Sequence, residues 1–172
     1  MVFFGAPYRG PNNPELEVLV QGKPLASLLS QLRPEAPLLL SLNQRFPVAC
    51  KHIRVVSCYE THETPNPQLN DPSNPDSGWA RTGLPRLLVP RSSACLDLAP
   101  DKETRIAVHG NHSKIVKLND VIGGELHEIV AEIGQMVDKA AAAVALRRAT
   151  FGLGGVDFRL PEVFTSLQYK HA

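Results

Sequence analysis

The period of the apolar positions changes several times along the chain, and each change marks an element. Met1 to Phe4 is an apolar, strand-like opening that Gly5-Ala6-Pro7 breaks. Pro11 to Pro14 reads as a loop. After Pro24, whose fixed φ suits the first residue of a helix, Leu25, Leu28, Leu29 and Leu32 recur at the spacing of one helical face, and Pro34 ends the pattern. A second helix is predicted from Pro37 through Leu38, Leu39, Leu42 and Phe46. Pro47 should close it, because proline has no amide to continue the ladder. His52 to Tyr59 then gathers Ile53, Val55, Val56 and Tyr59 into a β-branched and aromatic strand, with Glu60-Thr61-His62-Glu63-Thr64 behind it.

Pro65 to Gly83 has almost nothing to bury, and Trp79 is its one large apolar anchor. It reads as a plain insertion or as a lid that closes by docking Trp79. Leu87 to Val89 and Ile106 to Val108 are short apolar runs expected to be strands, with a polar crossing between them. The second runs into a tight turn, His109-Gly110-Asn111-His112, that opens a helix-like segment. Ile122, Leu126, Ile129, Val130, Ile133, Met136, Val137 and Ala140 then repeat at three- and four-residue steps, with Asp120 as N-cap and Arg147 and Arg148 suiting the far end of the helix dipole. That stripe is expected to pack on the sheet, with a partner-binding helix as the other reading. From Gly152 onward the chain reads as a linker. Gly152-x-Gly154-Gly155 has neither the strand before it nor the helix after it that a phosphate loop requires.

Strands and helices in this order predict an α/β fold: the second half of a mostly parallel sheet with flanking helices, in a domain over residues 1–149 followed by a tail over 150–172. A domain that opens in the middle of an apolar strand is expected to lack its N-terminal half. Ligand chemistry is expected beyond the carboxyl ends of the strands.

Composition narrows the field. With 172 residues, 43% of them hydrophobic, the chain can bury one core. A net charge of +1 with mixed signs gives no footprint for nucleic acid. No run approaches the ~18 apolar residues of a membrane span. The N-terminus has no basic region and too short an apolar run for a signal peptide, so secretion is not expected. Cys50, Cys58 and Cys95 form no C-x-x-C pair and read as reduced, mostly buried thiols in a reducing, cytoplasmic setting.

Two groups emerge at strand ends: Glu60, and His112 after the Ile106 to Val108 run. An acid that orients a histidine, which in turn deprotonates a serine, is the logic of acyl transfer. Acid before histidine is also the order found in α/β-hydrolases after their nucleophile. Glu63 and Asp76 are close enough in sequence to compete as the acid. A metal site built from His109 and His112, completed by His62 with Glu60 or Glu63, is a rival of another kind.

Phe3-Phe4-Gly5-Ala6-Pro7-Tyr8-Arg9-Gly10 resembles the FFGTPHRG segment of the serine esterases related to the serine-active-site-containing protein, whose domains also head many fungal NACHT proteins. Leu42-Asn43-Gln44-Arg45-Phe46 is similar to that family's L-N-x-x-F, Val56-Ser57-Cys58-Tyr59-Glu60-Thr61 to its S-F-Y-E-T, and Val89-Pro90-Arg91-Ser92-Ser93-Ala94 to its V-P-x-x-S-A. His112-Ser113-Lys114-Ile115-Val116-Lys117-Leu118 is similar to H-x-x-I-C-K-F. The resemblance implies the C-terminal half of an α/β-hydrolase sheet, His112 as catalytic histidine, Glu60 as its acid, no cofactor and an ester or lipid substrate. It also admits mitochondrial or endoplasmic-reticulum placement, and gives His109 no role.

The departures are as informative. G-x-S-x-G, the nucleophile's pattern, occurs nowhere in the chain, and by family order it belongs upstream of Met1. Ser92 and Ser93 read as polar turn residues. Tyr8 and Ala6 replace the histidine and threonine of the first motif, which puts the substrate-side loop in question. Two readings follow: a serine-hydrolase fragment without its nucleophile, inactive alone, or a non-catalytic module that recruits a protein partner at an exposed sheet edge.

Overall fold

The computed structural model describes residues 1–34, 36–74, 76–118 and 124–151. Their contacts divide the chain into two units, Met1–Val137 and Asp138–Ala172. The division falls inside the last helix. The tail from Gly152 lies outside the described residues, as do Asp120 and Ile122.

The centre of the first unit is a parallel sheet of β1 (Val2–Phe4), β2 (Val55–Glu60) and β7 (Glu103–Val108), in the order β1-β2-β7. Parallel neighbours need long crossovers. The first runs through α1 (Pro14–Leu19), α2 (Leu25–Gln31) and α3 (Pro37–Ala49). The second runs through an arm of paired two-residue strands, β3 (Thr64–Pro65) with β6 (Pro85–Arg86) and β4 (Gln68–Leu69) with β5 (Trp79–Ala80), and then the short α4 (Arg91–Ala94). After β7 comes α5 (Glu125–Phe151). The chain is therefore α/β.

Strand alternation sorts the side chains. Val56, Cys58, Ile106 and Val108 share one face and form the buried core with Ile115 and with Ile129 of α5, while Val2, Phe4, Leu118 and Met136 pack at its margin. The other face carries Phe3, Ser57 and Tyr59. There Phe3 meets Tyr8 and Phe46 edge-to-face, with ring centres 5.6 and 6.3 Å apart, and Arg91 lies over the Tyr59 ring. Glu103 anchors this side: it accepts from the Ser57 hydroxyl at 2.7 Å, from the Leu96 and Leu98 amides, and from the Arg105 guanidinium.

Several expectations need correction. Pro47 does not end α3, which continues to Ala49. Its missing amide removes one rung only, and the Cys50 amide still closes on the Phe46 carbonyl at 2.8 Å. Leu87 to Val89 is not a strand, because the amide of Val89 is taken by a side chain. Pro14, expected in a loop, is the first residue of α1, and β7 starts at Glu103, three positions before the apolar run. The segment after His112 is a succession of turns, with Lys114 bonded back to Asn111 and Lys117 to Lys114, and not a helix. The long polar stretch is a paired arm in which Trp79 stays 40% exposed opposite Leu69, so it docks on nothing central. The stripe of α5 packs on the sheet only along the seam of Ile129 and Met136, while Val130, Ile133 and Val137 remain exposed. Cys50, Cys58 and Cys95 are all free thiols, the last two buried. No helix among the described residues is long and apolar enough to cross a membrane.

Candidate active site

The same alternation that sends Val56 and Cys58 into the core sends Glu60, the last residue of β2, after them. Glu60 belongs to the strand and does not follow it, so its carboxylate is inside the protein, 1% exposed. A buried carboxylate needs partners. One oxygen, Oε1, accepts the Val89 amide at 2.8 Å. The other, Oε2, lies 3.2 Å from Nδ1 of His112. The ring N–H is not aligned on that oxygen, so the contact is an ion-pair approach and not a formed hydrogen bond.

His112 reaches this position because its turn follows β7, the strand beside β2, so both residues leave the sheet at the same edge. Three further contacts hold the turn. The His112 amide donates to the buried Thr64 hydroxyl at 3.1 Å; the Thr61 hydroxyl donates to the Val108 carbonyl at 3.0 Å; and the His62 amide donates to the Gly110 carbonyl at 3.2 Å. Arg81 of the arm donates to the Ser113 hydroxyl at 2.6 Å. The His112 side chain keeps 37% exposure, and Nε2 has no hydrogen-bond partner among the described residues. The ring is therefore part-exposed, with Nδ1 toward a buried acid.

Glu63 and Asp76, the competing acids, make no ion pair with His112 among the described residues, and both are exposed. The two histidines of H-x-x-H part company. His109 bonds Glu125, the first residue of α5, through both its amide and Nδ1, and the His62 ring stands edge-on to it at 6.4 Å. The His109 amide, more than any other group, holds the Glu125 carboxyl below the usual carboxylate range. A cavity of about 330 Å³ opens beside this second pair, lined in part by His62, Asn111, Lys114 and Lys117. No group of three or more metal-ligating side chains converges among the described residues.

Two serines are occupied elsewhere. Ser57 bonds Glu103, and Ser93, a buried residue of α4, donates to the Gly10 carbonyl at 2.7 Å and accepts the Arg9 amide. Tyr8 lies across the sheet from Glu60, packed on Phe3; burial pushes its phenol above its ordinary value, and nearby Ser57 acts the other way. Tyr8 therefore falls on the opposite face from His112. Two groups whose contacts the sequence does not signal complete the site: the Val89 amide and the Thr64 hydroxyl. Compared with models of protein families, with curated proteins and with solved structures, the chain matches none.

Proposed function

We propose that this chain supplies the acid and histidine of a serine acyl hydrolase of the α/β-hydrolase type, acting on a carboxylic or lipid ester. The observation that carries the reading is the pair itself: a fully buried Glu60 at the end of one parallel strand, 3.2 Å from a half-exposed His112 on the turn after its neighbour. The motif resemblance supports it independently, since it singles out the same residues. In the proposed reaction a serine hydroxyl attacks the acyl carbonyl as His112 Nε2 takes its proton. Collapse of the tetrahedral intermediate expels the alcohol, protonated by His112, and water then releases the acid from the acyl-serine by the same steps. Glu60 orients the ring and stabilises the imidazolium.

No nucleophilic serine is assigned in this chain, because G-x-S-x-G is absent from it; the hydroxyls of Ser57 and Ser93 are engaged in the fold. A triad without its nucleophile loses several orders of magnitude in rate. The purified 172-residue chain should therefore turn over no short-chain p-nitrophenyl ester above background. Turnover that disappears on His112→Ala would show that a nucleophile lies within the chain after all. The reading itself is tested on the longest reading frame that contains this chain: a serine-directed fluorophosphonate should label it, and His112→Ala should abolish labelling. A frame with no G-x-S-x-G, or labelling indifferent to His112, sinks it. In that event the non-catalytic recruitment module is the reading left, favoured by the exposed leucines Leu25, Leu28 and Leu42 on α2 and α3.

A further inference from the structure

Gly5 follows β1 directly. Its amide donates to the Cys58 carbonyl at 2.9 Å, extending the β1–β2 ladder by one rung, and its φ of +56° turns the chain away from the sheet. A glycine with positive φ is ordinarily explained by that angle alone. This one has a second constraint. A Cβ built on Gly5 would stand 3.1 Å from Cε1 and 3.2 Å from Nδ1 of His112, with Ile115 Cδ1 at 3.5 Å behind. Those distances are tighter than a side chain ordinarily accepts, so the imidazole would have to give way.

The atom that would be pushed is the one that faces Glu60. Nδ1 is already at 3.2 Å from Oε2 without an aligned hydrogen bond, and the Glu60 carboxylate cannot follow because Val89 holds its other oxygen. The turn carrying His112 is tied to Thr64 through its amide, so the ring must move by rotating about its own side-chain bonds. We infer that Gly5 is a positioning residue for His112: its missing side chain forms one wall of the slot that keeps the imidazole against Glu60. The inference rests on the acid–histidine reading for its functional meaning. The geometry it asserts can be tested without any turnover.

The chain contains its own calibration. Gly22 has a φ of +73° and nothing within 4 Å of its Cβ position, so Gly22→Ala measures the cost of the backbone angle alone. Gly10, at φ +89°, would meet the Leu32 carbonyl at 2.5 Å, a clash that has nothing to do with His112. Each glycine is changed to alanine in the full chain and again in a His112→Ala background, and thermal midpoints are compared as double-mutant cycles. The expected result is that Gly5→Ala lowers Tm more than Gly22→Ala, and that at least half of this excess vanishes in the His112→Ala background. The Gly10→Ala and Gly22→Ala shifts should be the same in both backgrounds. If Gly5→Ala alone fails to fold, recovery of a cooperative transition in Gly5→Ala/His112→Ala supports the inference, and failure of both overturns it. Equal Gly5→Ala shifts in the two backgrounds overturn it as well. As a readout that a purely structural role would not move, the His112 ring resonances should shift in Gly5→Ala and stay in place in Gly22→Ala. Loss of the hydrolase reading through fluorophosphonate labelling would leave these cycles unchanged, so the two failures are distinguishable.

Discussion

Two histidines three positions apart each sit beside a glutamate, and the pairs are built differently. Glu60 is the end of a strand, wholly buried, and meets a ring that is only half exposed and walled in by Gly5. Glu125 is the start of a helix; its acid is buried, but the His109 ring is 53% exposed, and the backbone amide of His109 does much of the holding. In the first pair the acid is fixed by the Val89 amide, and the imidazole approaches its other oxygen without a formed hydrogen bond. In the second the histidine's own amide and ring bond the acid, and the pair ties the start of α5 to the end of β7. A carboxylate beside a histidine is therefore not by itself a catalytic arrangement. What separates the pairs is which group holds the acid: a third residue's amide for Glu60, the histidine's own amide and ring for Glu125.

Removing the acids should expose that difference most strongly. Glu60→Ala empties a buried site and leaves the Val89 amide without an acceptor, so it should destabilise the chain by about 3 kcal/mol in thermal or urea unfolding. Glu60→Gln keeps an acceptor of the same size and should cost about 1 kcal/mol, while still abolishing fluorophosphonate labelling in any longer frame that shows it. If Glu60→Ala costs no more than Glu125→Ala, the distinction drawn between the pairs is wrong.

Legibility followed the same divide. β2 and β7 can be read from Val55-Val56 and Ile106-Ala107-Val108 because β-branched runs leave few alternatives, and strand alternation then puts Glu60 on the core side. His112 stands out only through its motif, since spacing treats it and His109 alike. The short crossings were not legible. Val89 looks like a strand residue, yet its amide bonds the side chain of Glu60, 29 positions earlier in the chain. Thr64 and Gly5 act through a hydroxyl and a missing Cβ, neither of which leaves a periodic trace. Pro47 misled because it sits near the end of α3, where its missing amide removes one rung and the Cys50 amide still closes the helix.

Glu125→Ala should cost less, about 1 kcal/mol, because the loss is a helix-start carboxylate and one amide acceptor at a partly solvated turn. Its signature should be local: faster exchange of the His109 amide with the sheet amides unchanged. The pH dependence sharpens this. The Glu125 carboxyl is held below its ordinary 4.5 in the folded chain, chiefly by the His109 amide. The stabilisation it brings is then fully present above that pH and lost as pH falls through the lower folded value. Exchange of the His109 amide should accelerate as pH drops below about 4.5, relative to the intrinsic rate, and Glu125→Gln should flatten that profile.

The smallest effect uses a thiol as a probe of the first pair. Cys58 lies two residues before Glu60 on the same face, and burial pushes its thiol up to about 12. At pH 8 it is both protonated and enclosed, so iodoacetamide should leave it unmodified in the folded chain, while the partly exposed Cys50 reacts. Glu60→Ala opens space beside the Cys58 core and should raise its slow labelling through local opening, measured by peptide mass spectrometry. Glu125→Ala loosens a different attachment and should leave Cys58 as it is. Equal labelling of Cys58 in both variants would mean that the two pairs share one cooperative unit, and that the buried acid at the end of β2 shapes no local slot of its own.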